Sequence, residues 1–249
     1  MVEIAVAALA IALGGTVKGA IGMGAPLVAT PILAGLYGVP TVVAVMTIPL
    51  LVSNAWQMWT FRAAREGRRP LYRMLVGCAL GAVAGTFLLN AVPEDWLAVA
   101  LAVIVFLYLC LRLLHPDLTM TEPRAVGAAV PAGLVSGVLQ GMSGISSPVS
   151  VTFIHAQRLP REAHLFALSA MFSVLALAQG VALTGVGLMT WPIALAGTAA
   201  IAPILLGVWL GQKLGDRFSA RTFERMTLAG LAVIAIVLLV RAVPELMAG

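Results

Sequence analysis

Long apolar segments separated by short polar ones run through the chain of 249 residues. Six of these segments have about 20 residues, which is the length of one membrane-spanning helix. Two others, at about 2–36 and 125–157, are too long for one span and too short for two spans with a loop. The pattern predicts an all-α polytopic membrane protein. The single spans are expected at roughly 41–61, 71–91, 95–114, 162–184, 190–211 and 222–242.

Both long segments carry the motif GxxxGxxGxxxP, once from Gly15 to Pro26 and once from Gly137 to Pro148. Residue n of the first copy therefore corresponds to residue n + 122 of the second, as 15 corresponds to 137. Glycines followed by proline weaken an apolar helix. We interpret each segment as a re-entrant hairpin of two half-helices that meet at the glycines, with one long kinked helix as the alternative.

The positions of arginine and lysine favour the hairpins, because short cytoplasmic loops collect positive charge. If each long segment leaves the membrane on the side where it entered, thirteen of the fifteen basic residues face the cytoplasm. If each segment crosses once, only eight do. A hairpin plus three spans makes an odd number of crossings, so the second copy is inverted. We predict two inverted-topology repeats, 1–114 and 125–249, joined by a cytoplasmic linker at 115–124; eight simple transmembrane helices are the alternative.

Composition excludes a soluble protein and several kinds of activity. Hydrophobic residues make up 61% of the chain and charged residues 10%, whereas a soluble domain has about 25% charged residues. The net charge of +5 is interpreted as a topology signal and not as a nucleic-acid-binding surface. All acidic residues fall near segment ends or in loops, and the chain has no P-loop. We therefore expect no enzyme activity, no cofactor, no metal and no nucleic-acid partner.

The chemistry that remains inside the membrane favours an anion. Lys18 lies within the first motif, and a lysine there is costly unless it faces a cavity or a counter-ion, for which the substrate is the simplest candidate. The helices that begin after the glycine breaks present unpaired N–H groups and a positive dipole end, and Ser147 is a favoured N-cap. The predicted substrate-binding residues are Lys18, Gly22, Met23, Gly24, Ala25 and Pro26 in the first copy and Gln140, Ser143, Gly144, Ile145, Ser146, Ser147 and Pro148 in the second.

Several of these residues have alternative roles. GxxxG is most often a helix-packing surface in membranes, and the side chain of Lys18 could extend to the membrane interface instead. The glycines expected to be structural are Gly15, Gly19, Gly137 and Gly141. Four polar side chains of the neighbouring spans either line a cavity or form interhelical hydrogen bonds, and the sequence favours neither role. They are Asn54, Gln57, Ser173 and Gln179.

The whole chain resembles the sulfite exporter TauE/SafE family, also described as sulfonate permeases. The resemblance depends on the paired stretches Gly14–Leu33 and Gly133–Ile154, on the duplication and on the length. It implies transport of sulfur-containing anions across the bacterial inner membrane. Members usually have a run close to GxGGG before the proline, whereas this chain has GMGAP at Gly22–Pro26 and GISSP at Gly144–Pro148.

We therefore predict a secondary transporter, an exporter of a small anion such as sulfite or a short organosulfonate, that works by alternating access between its inverted repeats. A passive anion channel and a membrane subunit that anchors or signals to a partner are the alternatives. The expected partners are the anion, the lipid bilayer and, if transport is coupled, H⁺ or Na⁺. The sequence leaves the coupling ion, the direction of flux and the oligomeric state open.

Overall fold

The computed structural model describes residues 2–21, 24–65, 69–114 and 119–215. Within these ranges the chain forms ten α-helices and one short 3₁₀ helix and contains no strand, so the predicted all-α class is confirmed. Gly22, Met23 and the span predicted at 222–242 lie outside the described residues. The helices are α1 Val2–Ile21, α2 Ala25–Tyr37, α3 Val39–Thr60, α4 Arg69–Ala91, α5 Glu94–Leu114, α6 Glu122–Ser143, α7 Ser147–His155, α8 Arg161–Gly185, α9 Trp191–Ala199 and α10 Ile201–Gly215, with the 3₁₀ helix at Arg62–Ala64.

Helices α3, α4, α5 and α8 lie where single spans were predicted. The span predicted at 190–211 is instead two helices, α9 and α10, which meet at Ala200. Pro203 explains the break, because it has no N–H to donate to the carbonyl group of Ala199 one turn earlier. In the described part of the chain, six helical stretches are long and apolar enough to cross a membrane. They are α1, α3, α4, α6, α8, and α9 together with α10.

Both motif segments are divided into two helices near the last glycine of the motif. Gly24, before α2, has φ 99°, and Gly144, after α6, has φ 73°. These left-handed conformations are accessible to glycine at little cost, and they redirect the chain. After each break the chain turns back, since Ala25 contacts Gly14 in α1 and the N–H of Met120 donates to the carbonyl of Ala156 at 2.7 Å.

The first helix of each segment is longer than predicted. α1 has 20 residues and α6 has 22, so each is about 30 Å long and matches the hydrocarbon core in length. Only α2 and α7, with 13 and 9 residues, have the length of half-helices. The early glycines of the motif thus do not interrupt α1 and α6.

Those glycines form close contacts between helices instead. A β-carbon at Gly137 would lie 2.5 Å from the carbonyl oxygen of Cys78 in α4, and one at Gly15 would lie 2.5 Å from the carbonyl oxygen of Ile204 in α10. Glycines allow such close backbone approach, which is the packing that GxxxG gives in membranes. In the α4–α6 contact, glycines lie on both helices: Gly77, Gly81 and Gly85 on α4, and Gly133, Gly137 and Gly141 on α6. In the α1–α10 contact they are Gly15 and Gly19 on α1, and Gly207 and Gly211 on α10.

The helix boundaries recur with the offset of 122 residues. α6 corresponds to α1, α7 to α2, α8 to α3, and the pair α9–α10 to α4. The two glycine contacts correspond by the same offset, because α6 packs on α4 in one and α1 packs on α10 in the other. Helices α3 and α8 pack against each other and lie between the two glycine contacts. They are the most buried of the candidate spans.

Candidate functional site

Lys18 lies in the last turn of α1 and is buried, with 3% of its surface exposed. Its Nζ atom donates a hydrogen bond to Oδ1 of Asn54 in α3. Asn54 is held in this orientation because its Nδ2 atom donates to the carbonyl oxygen of Leu50 at 2.8 Å. Lys18 forms no ion pair with any carboxylate among the described residues. A buried ammonium group whose partner is a neutral amide is poorly compensated for its lost hydration.

Both motif segments reach this lysine. Lys18 shares a small cavity with Gly24, Ala25 and Pro26 of the first segment and with Gln140 of the second. The free volume is about 10 Å³, roughly enough for one water molecule. The structure therefore brings five predicted site residues together. Side chains of α3 and α8 complete the walls: Leu50, Asn54, Phe172 and Ala176.

The short helix α7 begins one residue earlier than the predicted N-cap at Ser147 implies. α2 starts at Ala25 and α7 starts at Ser147. Ser147 is therefore the first helical residue and not the N-cap, so that prediction was wrong. The N-cap is Ser146, which makes no side-chain capping bond, and Pro148 is tolerated at the second helical position because N–H groups of the first turn have no intrahelical acceptor. The hydroxyl group of Ser147 is buried without a hydrogen-bond partner in the described chain.

Gln140 is hydrogen-bonded to α8 through Gln179. Its Nε2 atom donates to Oε1 of Gln179 at 3.1 Å, and Nε2 of Gln179 donates back to the carbonyl oxygen of Gln140 at 2.8 Å. Ser146 donates to Oε1 of Gln140 at 3.1 Å. Gln179 thus forms an interhelical hydrogen bond, one of the two roles that the sequence left open, and the side-chain amide of Gln140 is paired with Gln179 and Ser146.

Two other predicted residues of the second segment make local contacts. Ser143 donates to the carbonyl oxygen of Leu139 at 2.8 Å and accepts from the N–H of Ile145 at 3.2 Å. Ile145 is fully buried in an apolar cluster with residues of α2, α3 and α5. Both residues stabilise the chain reversal in this conformation, and neither lines the small cavity.

A second cavity, of about 340 Å³, lies on the other side of Lys18 between α3 and α10. We call it the vestibule. It extends from Lys18 and Ser53 to Phe61 and Gln212, near the ends of the two helices. Gln57 lines it and is buried, and its Oε1 atom has no partner among the described groups. The remaining lining residues are Trp56, Thr60, Leu205, Val208 and Trp209.

Sequence reasoning missed the vestibule. Three of its polar residues have the i, i+4, i+7 spacing of one helix face on α3, and this pattern could have been recognised in the sequence. They are Ser53, Gln57 and Thr60. For Gln57 the sequence left cavity lining and interhelical hydrogen bonding open, and in the structure it lines the vestibule. Ser173 on α8, for which the same two roles were left open, lines neither of the two cavities at Lys18. Its hydroxyl group is buried without a partner in the described ranges.

The repeats use equivalent residues differently. Lys18 corresponds to Gln140, and Gln57 corresponds to Gln179, by the offset of 122. In the second repeat the two glutamines bond to each other. In the first repeat Lys18 bonds to Asn54 instead, and Gln57 faces the vestibule.

One protein-family model, described as "Sulfite exporter TauE/SafE", matches residues 7–238, which is nearly the whole chain. No curated protein and no solved structure matches the chain.

Proposed function

The chain belongs to the sulfite exporter TauE/SafE family, and we propose that it is a secondary transporter that exports a small sulfur-containing anion, sulfite or a short organosulfonate. The observation that carries this proposal is the buried amine of Lys18, which has an amide as its hydrogen-bond partner and shares a cavity with the break in the first motif segment and with Gln140 of the second. Such a group is stabilised by an anion more than by any neutral ligand.

An oxyanion suits the donors around this lysine. The ammonium group has three N–H donors, and hydrogen bonds between charged groups are about twice as strong as neutral ones. The start of α2 at Ala25 adds the positive end of a helix dipole next to Lys18. Anion binding would therefore offset the cost of burying Lys18.

Alternating access between two inverted repeats is the mechanism we propose. The recurrence of helix boundaries at one offset supports two equivalent halves, and the close approach of Met120 and Ala156 supports a hairpin. Related halves of opposite orientation can exchange roles between inward-open and outward-open states. We place the protein in the bacterial inner membrane, with repeats at 1–114 and 125–249.

Counterflow in liposomes tests this function. Liposomes that contain the purified protein and unlabelled sulfite should take up radiolabelled sulfite faster than empty liposomes, and uptake should saturate. A parallel set with ethanesulfonate tests the organosulfonate class, and acetate serves as a carboxylate control. Linear flux without counterflow would indicate a passive channel. A complete lack of flux with every anion, from folded protein, would favour the anchoring or signalling role.

A further inference from the structure

We propose that the transported anion binds in the vestibule, between Lys18 and Gln57, and that it reaches this position from the Thr60 end of α3. The proposal rests on the function proposed above and deepens it by assigning the binding chamber and a specificity-determining residue. It differs from a site located symmetrically between the two helix breaks.

The free volumes of the small cavity and the vestibule show which of the two can hold the anion. The cavity between the breaks has about 10 Å³ of free space and the vestibule about 340 Å³. Sulfite has four heavy atoms and ethanesulfonate has six, so neither fits a space that holds roughly one water molecule. Both fit the vestibule in the conformation observed.

Lys18 lines the vestibule, with 3% of its surface exposed. Its side chain contributes to the walls of both cavities, so it forms part of the boundary between them. An anion in the vestibule can therefore lie against the Lys18 side chain, and its charge favours rotation of the ammonium group toward it from Asn54, which lines the small cavity. The small cavity on the far side stays closed to the anion.

Gln57 is the second contact. Only 9% of its surface is exposed, and its Oε1 atom has no partner among the described residues, so it carries the cost of a buried polar group without a hydrogen bond. A ligand would remove that cost. The amide offers both an acceptor and donors, so it can bind the hydroxyl of a protonated anion through Oε1 or an anionic oxygen through Nε2. The equivalent Gln179 is already engaged by Gln140, which indicates that this role belongs to the first repeat.

The mouth of the vestibule favours anions. Thr60 and Gln212 are exposed there. Two basic side chains are held near this end by aromatic rings, with Arg62 4.3 Å from the ring centre of Trp59 and Lys213 3.8 Å from that of Trp209. Positive charge at the mouth of a cleft raises the local concentration of anions.

The first test compares affinities of the purified full chain in nanodiscs, by calorimetric titration with sulfite and with ethanesulfonate. Gln57→Leu should weaken binding of at least one of them about tenfold or more, the effect of losing one hydrogen bond to a charged ligand. Gln157→Leu is the matched control, because Gln157 lies two residues after the end of α7, lines neither cavity at Lys18 and donates to the carbonyl of Phe153 at 3.2 Å. It should leave the affinity unchanged.

The second test does not depend on the packing of Gln57. Thr60→Cys is introduced with Cys78→Ala and Cys110→Ala, and its rate of maleimide labelling is measured with ethanesulfonate, which does not react with maleimides. At about ten times Kd, labelling should slow about tenfold if the bound anion occludes the mouth. Adding Lys18→Ala should abolish this protection, and a control at Thr190→Cys should show none.

The outcomes of the two tests distinguish a wrong vestibule assignment from a wrong proposed function. If the wild-type protein binds and transports the anion, but Gln57→Leu keeps full affinity and Thr60→Cys is not protected, the vestibule assignment is wrong and the proposed function stands. If the folded wild-type protein binds neither anion, both are wrong. Reduced affinity together with protection supports both.

Discussion

The backbone N–H of Met120, just before α6, donates a hydrogen bond to the carbonyl oxygen of Ala156, just after α7, at 2.7 Å. The two ends of the second motif segment therefore lie at the same end of the helix bundle. The loop after α3 lies there too, because Ala64 shares a small cavity with Gln157 and Leu159. This arrangement leads to a prediction of topology.

Cysteine labelling of intact cells should separate the two ends of the bundle. We expect Arg65→Cys and Gln157→Cys to react with a membrane-impermeant maleimide only after permeabilisation, since basic loops stay in the cytoplasm. Thr190→Cys, at the opposite end of α8, should react from outside. Tags at either terminus are expected outside as well. Reaction of Arg65→Cys in intact cells would contradict the assigned orientation.

Replacement of Lys18 should weaken anion binding without unfolding the protein. Lys18→Ala removes the charged donor and should cost roughly 1.5–3 kcal/mol of binding free energy, and Lys18→Arg should retain part of it because the charge remains. Titration calorimetry measures the effect. Arg124→Ala is the control, since Arg124 is exposed and lines neither cavity at Lys18. Unchanged affinity in folded Lys18→Ala would show that the lysine does not contact the anion.

Gln179→Leu should behave in the opposite way to Gln57→Leu. It breaks the bonds to Gln140 and leaves buried polar groups unpaired, so the folded state should lose about 1–3 kcal/mol. Thermal melting in detergent measures this loss. Anion affinity, measured below the melting range, should remain close to that of the wild type. A large loss of affinity with unchanged melting would mean that the second repeat also contacts the anion.

Substitutions at the glycine contacts should destabilise the protein selectively. A valine at Gly137 would clash with the backbone of α4, and overpacking typically costs 1–3 kcal/mol or more. Gly127→Val is the matched control in the same helix, because no described atom lies within 4 Å of a β-carbon there. Equal melting temperatures for the two variants would show that α4 and α6 are not in close contact.

Gly144 and Gly22 allow a comparison of the two breaks. From the sequence we expect Gly22→Val and Gly144→Val to impair transport equally, in liposomes with folded protein. At Gly144 the impairment would not come from a steric clash, because a β-carbon there would lie an ordinary 3.5 Å from its nearest neighbour, Val43. The cost comes from the left-handed backbone, about 1–2 kcal/mol for a residue with a β-carbon. Normal transport by Gly144→Val beside an inactive Gly22→Val would restrict the functional break to the first repeat.

Apolar segment length and the repeated motif predicted the helix positions well, since both are local properties of the sequence. The roles of individual polar residues depend on which helices become neighbours, and this the sequence does not specify. Helix ends are also difficult to predict. Ser147 was predicted to be the N-cap of α7, but it is the first residue of the helix. The vestibule shows the same limit on a larger scale, since it lies between α3 and α10, which are distant in sequence.

The exchange of helices between the repeats restricts how this protein can move. Gly81 in the first half of the sequence lies against Gly137 in the second, and Gly15 in the first half lies against Gly207 in the second. A motion that separated residues 1–114 from 125–249 as two solid bodies would pull both tightly packed helix pairs apart. Under the alternating access proposed above, the units that stay rigid would therefore each combine helices from both halves of the sequence, and they would not be the segments 1–114 and 125–249.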